Sequence, residues 1–410
     1  MILSWTSSQV SANMAFPMRT NPILYALYAL SAAYTFAMGS FAGYQPTNDQ
    51  FPVEEAPLVR TIELIPRTYG AVAAVSSTGA IFIHNNNYLL ASFAADSGKM
   101  LFNFGKSSFY ASAKSGNTII GTPPTDAQQE IQEVSASGDI LWRVPVPAHP
   151  QAVTLSPDGT LYASIGYSLY AISPSHKTLW HRDDIERPAP AIASAYPLLT
   201  PSVGLDGTIY SGLKTPAIAP DGTIYVNADT GIVLAFSPSG ERLWSTSVQQ
   251  NGFAGLSDPV VGADGRIYVI SGRDLVAISP QGRALWRYTA PVSSYWWWMT
   301  RPAVSKNRDV YLVRHGLFCI SEDGKEKWRF HPDTPGEDFI TPPTVGPEGT
   351  VYLPSQGTSG GQTYALSPDG RKKWSLPLQT YSGIPVFSND PEQVWVTSNG
   401  NVAAVSVAQQ

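Results

Sequence analysis

The chain has 410 residues, of which 43% are hydrophobic and 11% aromatic, so it can build a large apolar core and is not a disordered chain. Charged residues make up only 14%, and 26 basic against 31 acidic residues leave a net charge of -5, which argues against a nucleic-acid-binding surface. The single cysteine, Cys319, excludes an intramolecular disulfide and a zinc site built from several cysteines.

The first element of the chain is an apolar segment. Residues 23–42 carry no charge and end in small residues that suit cleavage before Gly43, a layout typical of a secretory signal peptide. We therefore assign residues 1–42 to a signal peptide, and a compact signal that starts at Met18 leaves open whether residues 1–17 are translated. The alternative is an uncleaved anchor, because twenty uncharged residues can just span a bilayer. The expected location is periplasmic or otherwise extracellular, with membrane attachment only if this segment is retained.

A repeat follows a polar, proline-containing linker at residues 43–57 and fills residues 58–410. Each unit has an Asp-Gly turn, a strand with Tyr, a short hairpin, a Leu-x-Ala-Ile-Ser-Pro-x-Gly stretch and a closing Trp. Two clear copies are SPDGTLYASIGYSLYAISPSHKTLW (156–180) and GADGRIYVISGRDLVAISPQGRALW (262–286). β-Branched and aromatic runs between such turns predict strands, and roughly 40–45 residues with four strands is typical of a propeller blade.

These units predict an all-β fold, a β-propeller of four-stranded antiparallel blades. Eight blades are expected, near residues 70–104, 105–142, 150–180, 200–244, 256–286, 300–328, 341–374 and 384–407. The last unit lacks its outer strand, which residues 58–66 can supply, so that the two ends of the repeat region pair and close the ring. Seven blades is the alternative, because Asp-Gly-Thr-Ile-Tyr occurs at 206–210 and again at 221–225, and one copy indicates an insertion within a blade.

The repeated pattern resembles the PQQ-like repeat of quinoprotein-type β-propellers over residues 58–407. That family includes quinone-dependent alcohol dehydrogenases and the periplasmic scaffold of bacterial outer-membrane assembly. The resemblance implies that the closing tryptophans pack between blades. These are Trp142, Trp180, Trp244, Trp286, Trp328 and Trp374.

The same resemblance bears on cofactors. Quinone-dependent members of the family hold calcium through acidic and amide side chains, and many carry a disulfide between adjacent cysteines. This chain has no adjacent cysteine pair and no recognisable acidic calcium cluster, so it resembles the assembly scaffold more than the active dehydrogenases. We expect no cofactor, no metal and no catalytic residue, with pyrroloquinoline quinone plus calcium as the alternative.

The strongest candidate for ligand binding is an aromatic run, made of Tyr295, Trp296, Trp297 and Trp298. Side chains alternate along a strand, so three consecutive tryptophans cannot all point inward from one. The run lies between the fifth and sixth units, on a loop that borders one mouth of the channel, where exposed aromatics bind ligands. The alternative is an aromatic plug. Asp258 and Arg301, near the starts of adjacent inner strands, are expected beside it, either as ligand contacts or as partners of each other.

Three further polar features have mainly structural interpretations. Glu133 and Cys319 occupy a small strand position held by alanine in sister units, where burial raises the pKa of an unpaired carboxyl and makes a thiol inert. The remaining group follows a closing Trp and is expected to form an exposed charged loop rather than a metal site. It comprises His181, Asp183, Asp184 and Glu186.

The sequence thus favours a non-catalytic binding or scaffold propeller, outside the cytoplasm, that recognises a protein or polymeric ligand through its inter-blade loops. One alternative is a quinone-dependent oxidoreductase with a degenerate site. Another is a polysaccharide-binding or polysaccharide-cleaving propeller that uses Trp296–Trp298. The expected partner is a protein or carbohydrate at one propeller face.

Overall fold

The computed structural model describes most of the chain from residue 58 onward. The described residues are 58–63, 71–76, 79–84, 89–112, 117–122, 126–165, 168–183, 202–203, 209–210, 215–228, 231–248, 256–291, 301–339, 341–357, 360–378, 385–387, 393–398 and 401–407. All regular elements in these ranges are strands, and none of them is a helix. Accordingly, no helix in these ranges has the length and hydropathy of a membrane span.

Four-stranded antiparallel sheets follow one another along the chain and form the blades. Blade 1 consists of β2 (Ala71–Val75), β3 (Ala80–His84), β4 (Leu89–Ala94) and β5 (Met100–Lys106). Blade 2 consists of β6 (Ser108–Ser112), β7 (Thr118–Gly121), β8 (Gln129–Val134) and β9 (Ile140–Val146). Blade 3 consists of β10 (Pro150–Leu155), β11 (Leu161–Ile165), β12 (Ser168–Ile172) and β13 (Thr178–Arg182). Blade 4 consists of β16 (Ala217–Ile218), β17 (Ile224–Ala228), β18 (Ile232–Phe236) and β19 (Arg242–Ser247).

The second half of the ring repeats the same order. Blade 5 consists of β20 (Val260–Val261), β21 (Ile267–Ser271), β22 (Asp274–Ile278) and β23 (Ala284–Thr289). Blade 6 consists of β24 (Ala303–Val304), β25 (Val310–Val313), β26 (Leu317–Ile320) and β27 (Glu326–Phe330). Blade 7 consists of β29 (Thr344–Val345), β30 (Val351–Gln356), β31 (Gly361–Leu366) and β32 (Lys372–Leu378), and β28 (Asp338–Phe339) also pairs with β30.

Blade 8 joins the two ends of the repeat region. It consists of β33 (Val386–Phe387), β34 (Gln393–Ser398), β35 (Asn401–Ser406) and the N-terminal strand β1 (Leu58–Glu63). Strand β1 runs antiparallel to β35, with Ile62 opposite Val402. The predicted propeller with eight blades and a closing N-terminal strand is therefore confirmed.

A separate pair of strands explains why the Asp-Gly-Thr-Ile-Tyr motif occurs twice. The pair consists of β14 (Ser202–Val203) and β15 (Ile209–Tyr210). The first copy of the motif ends in β15, while the second forms β17 of blade 4. Blade 4 thus begins at Ala217, and the expected start near residue 200 was wrong because it included this insertion. The backbone of β15 contacts β6 and β10, and that of β14 contacts β33, so the inserted pair lies against inner strands of blades 2, 3 and 8.

The core lies between neighbouring blades. Each of eight clusters of buried, described side chains draws on two consecutive blades, and one of them joins blade 8 to blade 1. The second and third strands of the blades together supply most of this core, and β11 and β21 are buried along their whole length. A single blade would leave both faces of its sheet exposed, so radial packing of blades is what stabilises the fold.

Every blade is an antiparallel up-and-down sheet, so the two edges of the ring carry different connections between strands. One edge carries the turns between first and second strands and between third and fourth strands; we call it the turn face. The other edge carries the second-to-third-strand hairpins and the connections between blades; we call it the loop face. In blade 5 the turn-face connections are 262–266 and 279–283, while the loop face carries the hairpin 272–273.

Candidate functional site

Most closing tryptophans join neighbouring blades by one recurring contact. The indole N–H donates to a backbone carbonyl in the third-to-fourth-strand turn of the following blade. The pairs are Trp180 with Pro238, Trp244 with Pro280, Trp286 with Glu322 and Trp328 with Pro368, at 2.8–2.9 Å. The glycine of the same turn lies against the indole ring, as Gly282 does against Trp244. Because an indole N–H needs an acceptor when partly buried, this contact fixes both the ring and the turn.

Trp142 in blade 2 makes a different contact. Its indole N–H donates to Glu133 of its own blade, and its ring stacks on His176 of blade 3 with centroids 4.5 Å apart. His176 has φ 63° and stands where the other turns have glycine. Glu133 is half-buried and also accepts a hydrogen bond from Asn117 at 2.8 Å, so this carboxylate in the alanine position is paired with neutral donors. Trp374 is buried against blade 8.

The predicted ligand residues lie at the loop face where they are described. Asp258 precedes β20 by two residues and Arg301 precedes β24 by two residues, so the structure brings them to the inner strands of adjacent blades. One carboxylate oxygen of Asp258 accepts the backbone N–H of Thr215 at 3.1 Å, which joins the start of blade 5 to blade 4. Arg301 is 9% exposed. The aromatic run 295–298 lies outside the described residues, and its role stays a prediction.

A polar cluster on the loop face of blades 6 and 7 was not predicted. Arg314 in the β25–β26 hairpin is buried and donates to the carbonyl of Gly272 in the blade 5 hairpin at 3.0 Å. Its neighbour His315, at φ 48°, forms an ion pair with Asp338 of β28. The sequence signal was the hairpin Arg-His-Gly, which places two basic residues where the blade 5 hairpin has Gly-Arg. Only the fold shows that the inter-blade strand β28 brings a carboxylate to it.

In this cluster, burial lowers the pKa values of the basic groups, whereas the Asp338 carboxylate raises the pKa of His315. Burial lowers the pKa of the Arg314 guanidinium to about 10. The hydrogen bond that His315 donates to the Asp338 carboxylate raises the pKa of His315, against the smaller effects of burial and of Arg314. Burial lowers the pKa of the neighbouring His331. His315 is therefore the group in this cluster whose protonation favours the folded state.

We expect the His315→Gln variant to lose thermal stability mainly at acidic pH. A histidine with a raised pKa in the folded state contributes stability that is present below its ordinary pKa near 6.5 and disappears as the pH rises through the raised value. The measurement is the difference in melting temperature between parent and variant at pH 5.5 and at pH 9. The control is His181→Gln, because His181 and Asp183 form an exposed pair 3.7 Å apart. A difference that grows towards pH 9 would contradict the assignment.

The remaining sequence candidates have plain structural settings. Cys319 is fully buried opposite Tyr311, and burial raises the pKa of its thiol to about 12, which makes it a poor nucleophile. His181 and Asp183 are exposed at the end of β13; Asp184 and Glu186 lie outside the described residues. In the part of the chain that the structure describes, no three His, Cys, Asp or Glu side chains come together as a metal site would need.

Solved structures share this architecture. BamB from Moraxella catarrhalis is 13% identical, with a TM-score of 0.58 over 86% of this chain and 99% of that chain. The computationally designed Ika8 protein is 11% identical, with a TM-score of 0.61 over 86% of this chain and 100% of that chain. The C-terminal WD40 domain of Sif2 is 9% identical, with a TM-score of 0.62 over 88% of this chain and 100% of that chain. At these identities the similarity shows the fold alone.

Sequence comparison gives a family. No curated protein matches this sequence. A family model described as "Outer membrane protein assembly factor BamB" matches two overlapping segments, residues 127–290 and 229–410, which run from the third strand of blade 2 to the end of β35 in blade 8. Because these segments cover more than half of the chain, the protein belongs to the PQQ-like repeat family of β-propellers that this model represents.

Proposed function

We propose that this chain is a non-catalytic scaffold that binds a partner protein through the loop face of its propeller, in an extracytoplasmic compartment. The observation that carries the proposal is the family match over residues 127–410, since the family is described by a protein assembly factor. The N-terminal apolar segment 23–42 supports export.

The two faces of the ring support the loop face as the binding surface. Turn-face connections are short and repeat the same hydrogen bonds, as in 156–160, 219–223 and 262–266. Loop-face connections differ in length and content: 290–302 leads into blade 6, and 331–343 contains the extra strand β28. In propellers as in other rigid scaffolds, variable loops on a fixed frame carry recognition.

Polar groups at this face are held in place by hydrogen bonds between blades and within a blade. Asp258 is bonded to blade 4, Arg314 to blade 5, and the Glu337 carboxylate accepts the Ser355 hydroxyl at 2.5 Å within blade 7. Such groups lose little conformational freedom when a partner binds, which favours affinity. The aromatic run 295–298 stands in the sequence between the last strand of blade 5 and the first strand of blade 6, and we expect it to supply the apolar anchors of an interface.

Photo-crosslinking in the native host tests the proposal. A photoreactive residue replaces Arg273, which is exposed in the blade 5 hairpin on the loop face, or Lys177, which is exposed in a blade 3 turn on the turn face. We expect one discrete crosslinked protein from the Arg273 position and none from the Lys177 position. The Trp296→Ala, Trp297→Ala, Trp298→Ala triple variant should reduce the crosslink at least fivefold while the melting temperature stays within a few degrees.

Two results would overturn the proposal. One is the same crosslinking pattern from both faces, which indicates nonspecific capture. The other is no crosslink together with a saturable, calcium-dependent rise in melting temperature on addition of pyrroloquinoline quinone, since a ligand of the folded state at 100 times its Kd adds about 2.7 kcal/mol.

A further inference from the structure

A cavity of about 710 Å³ opens on the turn face between blades 5 and 6, away from the loop face. Its charged lining residues are three arginines, Arg266, Arg283 and Arg308, and one carboxylate, Asp264. The remaining lining residues are Ser279, Pro280, Gln281 and Leu285. We call this set of residues the arginine groove. Its volume is in the range of ligand sites, about 300–1,000 Å³.

One of these arginines stands where the fold favours glycine. The first turn of blade 6 closes with the N–H of Arg308 donating to Ser305, as Gly159, Gly222 and Gly349 do in the equivalent turns. Those glycines have φ between 83° and 89°, and Arg308 has φ 66°. A left-handed backbone costs a non-glycine residue about 1–2 kcal/mol. The turn itself does not need an arginine, and strained backbone conformations of this kind are concentrated at functional sites.

A second arginine also departs from the repeat. Arg266 stands in the turn position held by Thr160, Thr223 and Thr350 in blades 3, 4 and 7. Although Arg266 belongs to blade 5 and Arg308 to blade 6, both departures line the same cavity. Independent changes in two repeat units that converge on one cavity indicate a role for the cavity rather than for either blade.

Two of the three arginines are paired with carboxylates, and Arg283 supplies the remaining positive charge of the groove. Arg308 forms an ion pair with Glu322 at 2.6 Å, and Arg266 one with Asp264 at 3.3 Å. The Arg283 side chain is exposed and makes no hydrogen bond or ion pair within the described residues. Leu285, next to it on β23, is 40% exposed and gives the groove an apolar wall.

We propose that the arginine groove binds an acidic peptide segment of a partner protein. A guanidinium group matches a carboxylate in geometry and can donate two parallel hydrogen bonds to it. Several arginines along an open surface groove therefore suit a segment with several carboxylates. Leu285 and Pro280 would contact the aliphatic parts of the same segment, and Ser279 and Gln281 can donate hydrogen bonds to its backbone carbonyls. This site lies on the face opposite the loop-face interface, so it is a second contact.

The test is fluorescence anisotropy of the full chain with a labelled decapeptide of alternating Glu and Ala, compared with its Gln/Ala counterpart. We expect saturable binding of the acidic peptide at 50 mM salt, at least tenfold weaker binding of the amide peptide, and loss of affinity at 300 mM salt. Arg283→Gln and Arg308→Gly should each weaken binding at least fivefold. Arg308→Gly restores the glycine of the sister turns, so its melting temperature should equal or exceed that of the parent.

The matched control is Arg371→Gln, which changes the same turn position in blade 7, outside the groove; its affinity should stay within twofold of the parent. Equal binding of the two peptides overturns the proposal. So does an unchanged affinity in both groove variants, or a loss in Arg371→Gln as large as in Arg283→Gln. Displacement of the peptide by low millimolar inorganic phosphate would show a small-anion site instead and also contradict it. None of these outcomes depends on the loop-face crosslink.

Discussion

The Gly282→Ala variant should be less stable than the parent protein by about 3 kcal/mol, because the turn glycine and the Trp244 indole share one small space. Gly282 has φ 82°, which alone costs an alanine about 1–2 kcal/mol. A Cβ at this position would lie 2.6 Å from Cδ2 of Trp244, and overpacking of this kind adds about 1–3 kcal/mol. The ring cannot simply move, since its N–H is bonded to Pro280 of the same turn at 2.8 Å.

The Gly79→Ala variant separates the cost of the left-handed backbone from the cost of crowding the indole ring. Gly79 has nearly the same φ, 81°, but an added Cβ would meet no atom within 4 Å. We expect this control to lose only the backbone part, about 1–2 kcal/mol. The measurement is the melting temperature of both variants under identical conditions. Equal losses would show that the contact between blades contributes nothing to stability and would contradict its structural role.

Disruption of the strand that closes the ring is expected to cause the second large loss of stability. Ile62→Asp should destabilise the protein by about 4 kcal/mol and produce oligomers. Ile62 of β1 is 6% exposed, and it packs with Phe93 of blade 1 and Val402 of blade 8. Its replacement loses about 1.5–3 kcal/mol of apolar burial and places a carboxylate in an apolar core. Release of β1 would leave β35 as an unpaired edge, which is a template for pairing with another chain.

Thr61→Asp is the matched control for this variant. Thr61 neighbours Ile62 on β1, lies opposite Ala403 and is exposed, so the same substitution adds the same charge without entering the core. We expect its melting temperature to stay close to that of the parent and its molar mass by light scattering to remain unchanged. If Ile62→Asp also keeps the molar mass and the melting temperature of the parent, then β1 does not hold the ring closed.

Local sequence was sufficient for the architecture. The Asp-Gly and Ser-Pro-x-Gly turns, the buried tyrosine in five of the second strands and the closing Trp each lie within one unit. Together they predicted the strands, the blade count and the closing role of residues 58–66. The mistake at the start of blade 4 has a local cause as well. The first copy of the motif ends in a strand, β15 (Ile209–Tyr210), but that strand pairs with β14 rather than with the blade.

What tertiary structure alone decided is which side chains meet between blades. The sequence placed Asp258 and Arg301 near one mouth, yet it did not show that Asp338 reaches His315, that the indole of Trp142 stacks on His176 of the next blade, or that arginines of two blades line one groove. Turn chemistry and strand alternation act over a few neighbouring residues, so they can be read from the sequence itself. Contacts between blades join residues that are tens of positions apart, and they depend on how the closed ring sets one sheet against the next.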